Sequence, residues 1–189
     1  MEKPAKKHKI SKRPGWDEYF MFLAKVAASR STCLSRPVGA ILVLDRQILA
    51  TGYNGSMPDD KHCLDEDQCF KRSLGKKKQG KYDYCRASHA EANLLAQAAK
   101  KGISVEGATL YVTLMPCYTC TKQLAVAGIK DVVYEHIYES EDPQRDKYWR
   151  EAIESRLGFR QLSIERNTIN YIVNNFINDI TSRRRLTTE

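Results

Sequence analysis

A chain of 189 residues, 42% of them hydrophobic, is long enough for one domain with a sizeable core and too short for a second enzyme. Its formal net charge of +8 is uneven, since Lys3, Lys6, Lys7, Lys9, Lys12 and Arg13 against Glu2 place most of the excess at the N-terminus. The lysine-rich start is not followed by an apolar segment and no run of eighteen apolar residues occurs, which excludes an export signal and a membrane span and predicts a soluble, cytoplasmic protein. In that compartment six cysteines point to metal binding rather than disulfides. Residues 1–14 read as a disordered basic tail and 15–189 as a single domain, with a second basic patch at Arg183, Arg184 and Arg185. The modestly basic remainder suits an anionic substrate such as a nucleotide.

Taken in order, Trp16, Phe20, Leu23, Val26 and Ala27 recur at helical spacing and predict a helix that gives out before Pro37. Val38 to Leu44 is apolar and β-branched, and Gln47 to Thr51 follows the Asp45-Arg46 turn, so the two read as a hairpin. The stretch 56–86 is long, polar and lysine-rich, holds several cysteines and has no clear periodicity. A helix opened by Ser88-His89-Ala90-Glu91 runs to Gly102. Strands over Thr109–Thr113 and Asp131–Glu135 flank a helix from about Cys117 to Ala127 that begins beside Pro116 and ends at Gly128. The order α-β-β-α-β-α-β is that of a layered α/β domain with its sheet buried between helices. A helix near Pro143, a fifth strand within Phe159–Glu165 and a helical stripe over Asn167–Arg185 (Ile169, Ile172, Val173, Phe176, Ile177, Ile180) complete the chain; 163–189 forms a C-terminal helical extension whose stripe packs on the core or between subunits.

The chemistry concentrates in His89-Ala90-Glu91 and Pro116-Cys117-Tyr118-Thr119-Cys120. One histidine and two cysteines leave the fourth position of tetrahedral Zn²⁺ open, as a catalytic site requires. Zinc lowers the pKa of bound water to about 7, which makes hydroxide available for attack on an amidine-like ring carbon. Glu91, two residues from a ligand, is placed to move the protons that such an attack needs. Both ligand segments open helices, whose partial positive charge favours thiolate over thiol. Each part also has a plainer reading: Ser88-x-x-Glu91 is a capping box, and Cys-x-x-Cys alone is a redox pair or half a zinc ribbon. The combination favours the catalytic zinc, since neither a ribbon nor a redox pair needs His-x-Glu on a separate helix.

The signature H-x-E…P-C-x-x-C is that of the zinc deaminases. With RPGWDEYFM at 13–21, RSTCLSRPVGAILVLD at 30–45, ATGYNG at 50–55, CRASHAEANLL at 85–95, TLYVTLMPCYTC and AGIKDVVY, the chain resembles the deoxycytidylate (dCMP) deaminase branch of the cytidine deaminase superfamily over about Arg13 to Tyr138. The resemblance implies a three-layer α/β/α fold with a central five-stranded mixed sheet, and hydrolysis of dCMP to dUMP in pyrimidine deoxynucleotide metabolism, with zinc-bound hydroxide attacking C4. Carried over, His89, Cys117 and Cys120 hold the catalytic zinc, Glu91 shuttles protons, the backbone of Ala90 holds the pyrimidine edge and Asn54 the deoxyribose hydroxyl; read from residues alone, Asn54 is a turn residue. Tyr134, Arg30 and Arg36 are the further candidates for contact with base and phosphate, with half-buried core and solvated surface as their plainer readings.

The same resemblance implies a second, structural zinc held by Cys33, Cys63, Cys69 and Cys85, with His62 as an alternative to Cys63, stapling the insertion 56–86; free buried cysteines are the alternative. It also implies a homo-oligomer, a hexamer in many relatives, with a dCTP or dTTP effector and accompanying Mg²⁺. Two features depart from the family: Ser56-Met57-Pro58-Asp59-Asp60 replaces the usual Pro-Gly pair after Gly55, and the extension after Leu162 has no counterpart. Competing functions are deamination of dCTP, a tRNA or single-stranded DNA deaminase, favoured by the basic arms but lacking an aromatic platform, and a non-catalytic nucleotide sensor or competence-related partner, against which an intact Glu91 argues.

Overall fold

The computed structural model describes residues 13–74, 85–138, 142–154 and 156–178. Residues 1–12 of the expected basic tail, part of the insertion (75–84) and 179–189 with its arginine patch lie outside the described residues.

Helix α1 (Trp16–Ala28) opens at Gly15, whose N–H is accepted by the Glu18 carboxylate at 2.8 Å, and buries Phe20, Met21, Phe22 and Ala24. A hairpin follows, β1 (Gly39–Leu44) and β2 (Gln47–Tyr53), turned by Asp45 and Arg46, both at positive φ. The short strands β3 (Gly55–Ser56) and β4 (Ala87–Ser88) pair antiparallel on either side of the insertion, which carries the single turn α2 (Phe70–Ser73). Next come α3 (Ala90–Lys100), β5 (Thr109–Leu114), α4 (Tyr118–Val126), β6 (Asp131–His136), α5 (Pro143–Glu154), β7 (Gly158–Gln161) and α6 (Arg166–Ile172), which runs on into a π-helical turn, Val173–Ile177.

The sheet order is β2-β1-β5-β6-β7; β1 is antiparallel to β2 and β5, while β5, β6 and β7 run parallel. This is the mixed five-stranded sheet expected from the resemblance. Alternation along the strands divides the core in two. Ala40, Leu42, Leu110, Val112 and Val132 face Leu94 of α3, Leu124 of α4 and Trp149 and Ile153 of α5. Ile41, Val43, Tyr111 and Val133 face Phe20 and Met21 of α1 and Ile172 of α6. Helices therefore cover both sheet faces, and the C-terminal stripe packs on the core through Ile169, Ile172 and Val173.

Strand β7 spans Gly158–Gln161 rather than reaching Glu165, because after the Leu162 N–H bonds the Tyr134 carbonyl the chain turns and Ile164 enters the core. Buried Glu135 of β6 carries an ion pair with Lys25 of α1, fixing that helix to the sheet. On the same face Tyr111 donates to Asp17 at 2.6 Å and Arg160 pairs with it at 2.7 Å, joining α1, β5 and β7. Among the described residues no helix is long and apolar enough to cross a membrane.

Candidate active site

The two ligand segments come together because each closes a strand and opens a helix. Ser88 is held in β4 by pairing with Gly55; His89 is then the N-cap of α3, extended at φ −71°, ψ 152°. Cys117 is likewise the N-cap of α4 at φ −71°, ψ 166°. Sequence reasoning put both inside a first helical turn; each stands one residue earlier. This also rules out Ser88 as the cap of a capping box. Cys120 and Glu91 follow within the first turns of their helices, and both are buried.

His89 Nδ1 stands 3.5 Å from Cys117 Sγ and 3.3 Å from Cys120 Sγ, and the three ligand atoms lie within 4.8 Å of one another. Metal bonds of about 2.0 Å to nitrogen and about 2.3 Å to sulfur at a tetrahedral angle place N and S about 3.5 Å apart, so the spacing fits zinc. The electrostatics fit as well. A hydrogen bond from Cys120 draws the Cys117 thiol well below the usual thiol range, against the cost of burial. The same bond, with burial and the nearby negative charges, pushes Cys120 up. Cys117 also raises His89. A divalent cation is the partner that lets both sulfurs ionise beside a neutral imidazole.

Glu91 is 4% exposed. Burial pushes its carboxyl up to about 7, although His89 and a hydrogen bond from Cys120 pull the other way. A carboxyl titrating near neutrality accepts and returns a proton with little bias. The backbone of α3 is set close to the sheet by Gly52, where a Cβ would stand 2.4 Å from the Ala90 carbonyl oxygen; Ala90 itself is fully buried.

Asn54 is committed to its own loop. Its Oδ1 accepts from the Ser31 hydroxyl (2.6 Å) and the Val38 N–H (2.8 Å), and its Nδ2 donates to the Arg36 carbonyl (2.8 Å). One Nδ2 hydrogen is left for another acceptor. Arg30 and Arg36 are exposed at the ends of that loop. Tyr134 lies half-buried on β6, with its ring 6.1 Å from that of Phe159.

The insertion cysteines are free thiols: Cys63 is buried, Cys33, Cys69 and Cys85 half-buried. Cys85 is raised first by burial and also by the charges of Cys33 and Cys69. Among the described residues, however, only His89, Cys117 and Cys120 converge as a three-ligand group. His62 Nδ1 is buried without a hydrogen-bond partner. Missed at the sequence level was the clamp that carries the insertion to the site: Arg86 pairs with Glu66 at 2.7 Å and lies 4.0 Å over the Phe70 ring, and Arg72 reaches Ser35 at 3.0 Å. Its only signal is the position of Arg86 three residues before His89.

The model of the cytidine and deoxycytidylate deaminase zinc-binding region matches residues 14–136. A deoxycytidylate deaminase of Mycobacterium phage D29 is 44% identical over 128 residues, 65% of this chain and 95% of the relative. The ComE operon protein 2 of Bacillus subtilis is 40% identical over 129 residues, 68% of this chain and 63% of its own length. The chain thus spans less than two thirds of that relative, and only 38% of the Schizosaccharomyces pombe deoxycytidylate deaminase it also matches. Among solved structures, dCMP deaminase of the cyanophage S-TIM5 in complex with dCMP and dUMP superposes with a TM-score of 0.61 at 27% identity, covering 80% of this chain and all of the other.

Proposed function

The chain belongs to the cytidine and deoxycytidylate deaminase family that shares this zinc-binding region, and from that premise we propose that it hydrolyses dCMP to dUMP and ammonia. The observation that carries the reading is the buried Glu91 beside the His89, Cys117 and Cys120 cluster. Relatives named for this reaction, and a structural neighbour that holds dCMP and dUMP, support the substrate.

His89, Cys117 and Cys120 would hold the zinc, which would supply a water acidic enough to deprotonate at neutral pH. Glu91 Oε is placed to take one proton of the attacking water and give it to the ring nitrogen next to C4, then to take the second from the hydroxyl now on C4 and give it to the departing amine, so that C–N is exchanged for C–O and ammonia leaves. The Ala90 backbone meets the pyrimidine edge. The remaining Nδ2 hydrogen of Asn54 reaches the sugar hydroxyl, while Arg30 and Arg36 supply positive charge for the phosphate and Tyr134 an aromatic surface near the base. Initial rates of zinc-loaded protein on dCMP, dCTP, deoxycytidine and a cytosine-containing oligonucleotide test the substrate. The expected result is fastest turnover of dCMP; no turnover of dCMP while dCTP or the oligonucleotide reacts would overturn it.

A second zinc is part of the same reading, with Cys33, Cys69 and Cys85 as ligands and His62 or Cys63 as the fourth. The orphaned His62 Nδ1 favours the histidine. Two zinc ions per chain by metal analysis is the expected count, and one would remove the proposal. A cytoplasmic homo-oligomer, a hexamer by the family resemblance, with dCTP or dTTP as effector and Mg²⁺ accompanying the triphosphate, completes it; a flat rate response to both nucleotides would remove the effector.

A further inference from the structure

A cleft of about 140 Å³ opens between α5 and the ends of β5, β6 and β7, lined by Met115, Tyr134, Trp149, Arg150, Ile153 and Phe159 among others. Three of these are aromatic. The Tyr134 and Phe159 rings form one wall, 6.1 Å apart and tilted by 50°, and Trp149, 3% exposed, is locked by a bond from its indole N–H to Asp146 at 3.1 Å. The polar element is Arg150. Its guanidinium carbon stands 6.0 Å from the Trp149 ring centre, and an Nη group makes one long bond, 3.4 Å, to the Tyr138 carbonyl. Its Nε is buried with no hydrogen-bond partner.

A permanently charged fork with a buried donor unused is a costly arrangement unless an acceptor completes it. A neutral carbonyl satisfies the donor but not the charge, whereas a carboxylate does both and matches the fork with two parallel bonds. The volume is close to that of the ~150 Å³ apolar cavities that take a single benzene ring, and the walls offer ring faces and edges for stacking. We propose that this cleft binds an aromatic monocarboxylate, its six-membered ring between the aromatic walls and its carboxylate on Arg150. The inference goes beyond the deaminase reading: Tyr134, placed above near the base, is shared, but neither the zinc ligands nor Glu91 line the cleft, and the test reads binding rather than turnover.

The chain has two tryptophans, so Trp16→Phe leaves Trp149 as the sole indole fluorophore. Full-length, zinc-loaded W16F protein is titrated with benzoate, with a pyrimidine carboxylate (orotate), with the non-planar cyclohexanecarboxylate and with the uncharged ring uracil. Saturable quenching by benzoate or orotate is expected, weakened at least about tenfold by Arg150→Gln and less by Arg150→Lys, which keeps charge without the fork. Tighter binding of one of the two identifies a carbocyclic or heterocyclic source. Thermal melts check that both Arg150 variants are folded. The proposal is overturned if neither carboxylate quenches up to about 10 mM, a range in which binding of only about 2.7 kcal/mol would register, if uracil or cyclohexanecarboxylate binds as well, or if both folded variants keep full affinity.

Discussion

Replacing Gly52 by alanine adds one methyl group, and the structure says where it must go. The new Cβ would stand 2.4 Å from the Ala90 carbonyl oxygen and 2.7 Å from Leu94 Cβ. Ordinary contact begins near 3.4 Å, so the first turn of α3 has to retreat from β2 by about 1 Å, the scale on which reacting groups lose their alignment. Neither neighbour is a flexible side-chain end: one is backbone, the other a Cβ on the buried Leu94. His89 and Glu91 ride on that turn. A misplacement of this size costs on the order of 10²-fold in rate, and the overpacking itself about 1–3 kcal/mol, or about 2–12 °C in melting temperature for a domain of this size. The assay is kcat for dCMP at saturating zinc, with a thermal melt on the same sample and Thr51→Ala, an exposed neighbour on the same strand, as control. Full activity in Gly52→Ala would refute the argument that Gly52 sets the position of the catalytic turn.

Lys25→Met leaves buried Glu135 with only the imidazole of His136, 3.4 Å away, as a basic neighbour, a loss of about 3 kcal/mol where that histidine is neutral. Most of it should return in Lys25→Met/Glu135→Met; urea melts of the full cycle check this, and a single variant that loses under about 1 kcal/mol would contradict the buried-pair account. At Asp17, burial pushes the carboxyl up, but the bonds from Arg160 and Tyr111 outweigh it and hold the group below its ordinary value of 3.8. Its contribution is therefore complete above that value and disappears as pH falls through the lowered one. Because the pair with Arg160 is half exposed, Asp17→Asn should cost only about 1 kcal/mol at pH 6, a gap that closes towards pH 2 in pH-dependent melts; a gap independent of pH would show that the charge contributes nothing.

Periodicity and apolar runs located the longer elements, because α1 and α3 bury apolar residues on one side and β1, β5 and β6 are largely buried. The five-stranded mixed sheet came from the family resemblance, while the order β2-β1-β5-β6-β7 is supplied by the structure. The ligand segments were legible for a different reason, that zinc chemistry restricts residue type and spacing. Their N-cap placement was not, because one residue of φ/ψ decides whether His89 and Cys117 stand inside or just before a helix. The β3–β4 pairing was invisible for want of length: two residues on each side, joined across thirty of polar insertion, leave no alternation to read. Asn54 is the most instructive residue. A turn-former in the sequence, it is a hub in the structure, tying Ser31, Arg36 and Val38, and nothing local announces those partners. The break in the C-terminal stripe, where α6 gives way to a π-helical turn at Val173, was equally hidden, since all its apolar residues suit an uninterrupted helix.

The most direct test of the account compares dUMP formation from dCMP by wild-type protein and Glu91→Ala, each shown by metal analysis to hold zinc at His89, Cys117 and Cys120. The expected result is turnover by the wild type and a loss of about 10²-fold or more in the variant, with metal content unchanged. A variant that keeps its zinc and deaminates dCMP at the wild-type rate would contradict the assignment of Glu91 as the proton carrier.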